Sequence, residues 1–122
     1  MISPDIKGIY VADVSDTVPH RNTKHCVCVS VGRGKYLLIN THHRPMYEDF
    51  ILKASNYGFL NGLDRFLSCS SSHPIKPEKL FEKVGELSDA DTKIMYEKIQ
   101  KSQKIQSDDK KAILSELEKT FK

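Results

Sequence analysis

Five short runs rich in β-branched and aromatic residues, each cut off by Gly, Pro, Asn or Ser, occupy the first 70 residues: GIYVADVS (8–15), HCVCVSV (25–31), KYLLINTHH (35–43), DFILKAS (49–55) and FLSCS (66–70). Runs of this length and composition between turn residues read as β-strands. A sixth short strand is expected around KVGEL (83–87). Helical signals come late. KPEKLFEK places a proline where a helical turn would begin. Ser88 with Asp91 three residues on resembles a capping box, followed by Ile94, Met95 and Ile99 on one face, which predicts a helix over about 88–103. A second helix is expected over 107–121, with Asp108 and Asp109 in its first turn and Ile113, Leu117 and Phe121 buried at spacings of four. Strands first and helices last predict a mainly β fold, a small barrel or curled antiparallel sheet of five to six strands with two C-terminal helices packed on it.

At 122 residues the chain has material for one core, so a single domain over 1–122 is expected. No apolar run approaches the roughly 20 residues of a membrane span, and MISPDIKGIY lacks the apolar stretch of a signal peptide. The expectation is a cytoplasmic protein. Cys26, Cys28 and Cys69 are odd in number, and the first two alternate along one strand, so they read as free thiols.

Charge distribution says more than the net +3. From Thr17 to Tyr47 there is no acidic residue, while Arg21, Lys24, Arg33, Lys35 and Arg44 are present. His20, His25, His42 and His43 fall in the same stretch. By contrast, residues 86–122 mix eight acidic with eight basic side chains, as solvated helix faces do. A local basic field points to an anionic partner, of which a phosphate backbone is the commonest. The rival reading is a solvated face that happens to lack acids.

The second and third strands meet at GRG (32–34). A two-residue turn would set Val27 against Asn40, an amide on a valine face. A three-residue turn with Gly34 in the left-handed region would set Val29 against Leu37 and Val27 against Ile39. The second is expected, and it brings His25 opposite Thr41 at the polar end of the hairpin. A zinc site is the competing use of these residues. His20, His25, Cys26 and Cys28 lack paired ligand spacing, and the cysteines should face away from His25, so no metal is expected.

GIYVADVS, a basic loop, KHCVCVSV, YLLINTHHRP and VGELSDADTKIMYEKIQKS followed by a terminal helix together resemble, in order and spacing, the PemK/MazF family of toxin endoribonucleases, from about Asp5 to the C-terminus. The resemblance implies an SH3-like barrel, a homodimer, cleavage of single-stranded RNA without metal or other cofactor, and neutralisation by a cognate antitoxin. It puts the family's strand-opening arginine at His25, preceded by Lys24, the threonine or serine ending the third strand at Thr41, and a loop histidine near His20. Where some members carry an arginine and an aspartate on a later strand, this chain has Ser68 and Ser70. His25, Thr41 and His20 are therefore the candidate catalytic residues, and Arg21, Lys24, His42, His43 and Arg44 the candidate RNA contacts. Histidine's ordinary pKa near 6.5 suits general acid or base work, and arginine and lysine suit a phosphate. Two functions stay open: an endoribonuclease leaving 2′,3′-cyclic phosphate and 5′-hydroxyl ends, or a catalytically silent SH3-like module that binds RNA or protein.

Overall fold

A computed structural model describes residues 2–15, 23–40 and 48–121. Within them lies a seven-stranded sheet. Its strands are β1 (Gly8–Asp13), β2 (Thr23–Ser30), β3 (Lys35–Asn40), β4 (Phe50–Leu52), β5 (Arg65–Leu67), β6 (His73–Pro74) and β7 (Leu80–Glu86). All pairings are antiparallel, in the order β4-β5-β3-β2-β1-β7, with β6 also on β3. The sheet is open. Helices α1 (Asp89–Lys101) and α2 (Ser107–Glu118) follow it, each ending two or three residues short of the boundary predicted from sequence. Among the described residues no helix is long and apolar enough to cross a membrane.

The near-continuous apolar runs of β2 and β3 have a simple cause: these strands are covered on both faces. On one face Ile9, Val27, Val29, Leu37, Ile39 and Leu67 pack with Met95 and Ile99 of α1 and Ile113 and Leu117 of α2. On the other, Tyr10, Ala12, Cys26, Cys28, Tyr36 and Leu38 pack with Ile75 and Leu80. Each large side chain so buried stabilises the fold by roughly 1.5–3 kcal/mol. All three cysteines are free and buried, and burial pushes the Cys26 and Cys28 thiols up to about 12.

Two predicted core positions are not in the core. Ile94 and Phe121 are each 40% exposed. Ile94 lies about 100° around the helix from Met95 and about 140° from Ile99, outside the face those two share. Phe121 lies beyond the end of α2 and sets its ring edge-on against Tyr96, 5.2 Å between centroids. The α1 cap forms, with Ser88 Oγ accepting from the Asp91 amide at 3.1 Å. The reciprocal arm differs: Tyr57 Oη accepts from the Ser88 amide at 3.0 Å and donates to the Asp91 carboxylate at 2.6 Å. A phenol from the loop before β5 completes the cap that a longer acidic side chain would otherwise close. KPEKLFEK supplies one 3-10 turn, Pro77–Lys79, before entering β7.

The β2–β3 hairpin departs from its expected register. Gly34 is in the left-handed region, φ +62°, as predicted. The ladder, however, pairs Val27 with Leu37 and Cys28 with Tyr36, and then Ser30 with Lys35 across a bulge. The connection spans four residues, Val31 to Gly34, and the bulge absorbs one more. Together they slide the pairing by two positions. A two-residue slide returns every side chain to its original face, so apolar matching could not tell the two registers apart. What selects the observed one is α2. Glu116 accepts from the Ser30 hydroxyl and from the amides of Val31, at 2.7 Å, and Gly32, at 3.3 Å. Asp109 takes Arg33 at 3.1 Å and Lys35 at 3.4 Å.

Candidate functional site

Of the eight site residues named from sequence, His20, Arg21, Thr41, His42, His43 and Arg44 lie outside the described residues. Lys24 and His25 lie within them, on β2. The ladder that sets Cys26 against Leu38 is displaced by two positions from the one that would put His25 opposite Thr41, and Thr41 itself lies outside the described residues. Neighbouring positions on a strand face opposite ways, so Lys24 and His25 serve two different surfaces at one end of the sheet.

His25 faces the helix-covered side. It opposes Val11, which in turn opposes Glu82 of β7. The loop between β4 and β5 brings Phe59 over it, with ring centroids 4.8 Å apart and planes tilted by 39°. Half-burial lowers the His25 pKa, the Arg65 guanidinium lowers it further, and the Glu82 carboxylate opposes both. The imidazole is therefore held neutral near pH 7.

Lys24 faces the other side, where its ammonium donates to Asn40 Oδ1. Phe66 opposes Asn40 and the Ser68 amide donates to the Leu38 carbonyl, so Ser68 shares this face. Its hydroxyl is 3.3 Å from that of Ser70. The chain then returns to β3 as β6, pairing His73 with Tyr36, so His73 is a strand residue on the Lys24 face. Its Nε2 is 3.2 Å from Ser71 Oγ. Burial lowers its pKa first, and the charges of Lys24 and Lys35 lower it further. A half-buried neutral imidazole in a cationic patch lined with hydroxyls can take a proton from a group that a lysine draws in.

The sequence holds one signal for this patch. SCSSSHP clusters hydroxyls directly before a histidine, but only the return of the chain to β3 puts that histidine on the same face of the sheet as Lys24, far away in sequence. Arg65 and Glu82 carried no signal, being single charged residues on strands remote from His25 in sequence. Among the described residues no group of three or more His, Cys, Asp or Glu side chains is placed to hold a metal ion. Compared with known proteins, the chain matches no family model and no curated protein.

Proposed function

We propose that this chain is a metal-independent endoribonuclease of the toxin type, folded as an SH3-like barrel, acting on single-stranded RNA at the Lys24–His73 face. The observation that carries the reading is His73, half-buried on the same face of the sheet as Lys24, whose charge helps keep it neutral, with Ser68 and Ser70 on that face too. In this role His73 takes the proton of a 2′-hydroxyl as its oxygen attacks the adjacent phosphorus. The bond from phosphorus to the 5′-oxygen breaks, leaving a 2′,3′-cyclic phosphate, and the leaving oxygen collects a proton to become a 5′-hydroxyl. Lys24, held on Asn40, offsets the charge growing on the phosphate, and the serine hydroxyls donate to its non-bridging oxygens. His20, Thr41, Arg21, His42, His43 and Arg44 are assigned to proton delivery and backbone contact from their place in the sequence on either side of these strands. A second copy of the chain and an acidic antitoxin are the partners this reading carries.

The experiment is incubation of the protein with a mixed-sequence single-stranded RNA and analysis of the product ends. Cyclic phosphate ends are expected, with His73→Gln slowing cleavage about 100-fold or more, the size of a lost general base. Intact RNA with the wild-type protein overturns the reading. The alternative, a silent RNA-binding module, is favoured by one observation: Ser68 and Ser70 put no charge where a catalytic ion pair would stand. It predicts intact RNA that binds with an affinity falling steeply with salt, about 0.7 in log-log slope per neutralised phosphate.

A further inference from the structure

We infer that the face opposite Lys24, at the same end of the sheet, is a nucleobase subsite that selects guanine, built from Phe59, His25, Arg65 and Glu82. The inference rests on the reading of the chain as a protein that handles single-stranded RNA.

Three observations point to a base. The first is an aromatic platform at a rim. Phe59 and His25 are both partly exposed, 4.8 Å apart, and Tyr57 backs Phe59 at 6.0 Å. Unpaired RNA bases are held on platforms of this kind, because every base offers a π-face. The second is that the platform is anchored rather than loose. Tyr57 is fixed by its bonds to Ser88 and Asp91, and the Ala54 amide is held by Asp64 Oδ1 at 2.7 Å, so both ends of the loop that carries Phe59 are tied down.

The third is the pair of charges at its edge. Arg65 on β5 and Glu82 on β7 stand two strands to either side of His25, Glu82 level with it across Val11, and the charges of both act on the imidazole. Among the described residues neither is in an ion pair. A guanidinium and a carboxylate flanking one stacking surface present donors on one side and acceptors on the other. Guanine fits that arrangement best. Its N1–H and N2–H donate to a carboxylate, while O6 and N7 accept from a guanidinium fork. Cytosine offers the carboxylate one donor group, uracil has a single N–H between two carbonyls, and adenine turns the lone pair of N1 toward the carboxylate.

Lys24 and His25 are adjacent on β2, so a strand crossing the end of the sheet would lay a phosphate on one side and a base on the other. The subsite thus supplies a sequence preference to the reaction proposed for the Lys24 face.

The test titrates the wild-type protein with guanosine, adenosine, cytidine and uridine 5′-monophosphates and with inorganic phosphate, following the imidazole C–H resonances of His25 and His73 by NMR. Guanosine monophosphate is expected to move the His25 signals at a concentration at least fivefold below the others, while inorganic phosphate moves only those of His73. Glu82→Gln is expected to bring the guanine preference down to about twofold or less, and Phe59→Leu to weaken all four nucleotides alike. Both positions are partly or fully exposed, and a thermal melt of each variant checks folding. If Phe59→Leu fails that check, Arg65→Met replaces it and is expected to weaken guanine most. Equal movement of His25 by all four nucleotides, or none, overturns the inference. RNA cleavage without guanine preference overturns it while leaving the proposed reaction standing. A guanine-selective response with uncleaved RNA supports the subsite and refutes the reaction.

Discussion

Replacing Glu116 by alanine is the most direct test of how α2 fixes the β2–β3 hairpin. The carboxylate accepts from Ser30 Oγ and from the Val31 and Gly32 amides. These donors are not equal. Val31 is 46% exposed and Gly32 is exposed, so water replaces most of what their amides lose. Ser30 is fully buried, and its hydroxyl would be left without that acceptor while still receiving the Arg33 amide at 3.1 Å. An unsatisfied buried hydroxyl costs about 1–2 kcal/mol, and each amide exchanged for water about 0.5 kcal/mol, giving a loss of about 2–3 kcal/mol. For a chain of this size that lowers Tm by roughly 8–12 °C. Glu116→Gln keeps one acceptor oxygen and should lose about 1 kcal/mol. Urea unfolding followed by circular dichroism measures both. An alanine variant within about 0.5 kcal/mol of wild type, or a glutamine variant as damaged as the alanine one, would show that these hydrogen bonds do not hold the hairpin.

Leu117→Ala should cost about 3 kcal/mol, because Leu117 is fully buried, whereas Phe121→Ala should cost under about 1 kcal/mol, and paired denaturant titrations decide it. His25 and His73 both have pKa values below 6.5 in the folded state, so unfolding takes up protons there; stability should fall as pH drops below the unfolded value near 6.5 and level off once pH is below the folded pKa values, a loss that His73→Gln should reduce. Cys26 and Cys28, buried with thiols pushed up to about 12, should resist a thiol reagent at pH 8 in the folded protein and react on denaturation. Gly34→Ala places a β-carbon at φ +62° and should cost about 1 kcal/mol in the same urea assay.

Local sequence was enough for most of the elements and most of their inward faces, though not for Ile94, Phe121 or β6. Short β-branched runs between turn residues became strands, Ser88 became the α1 cap, and Ile113 and Leu117 became core, because each depends on chemistry within a few residues of chain. The left-handed Gly34 was legible for the same reason. Tertiary structure alone decided the rest. The hairpin slid by two positions because the same faces stay buried either way, leaving the choice to Glu116 and Asp109, carried on a helix remote in sequence. The candidate site divided in the same manner. Lys24 and His25 read as one basic cluster, but the pleat sends them to opposite sides of the sheet, one toward His73 and the other toward Phe59, Arg65 and Glu82. Side-chain direction is local and could be read from alternation; which distant residues wait on each side is set by strand order, and strand order is not written in any single stretch of the chain.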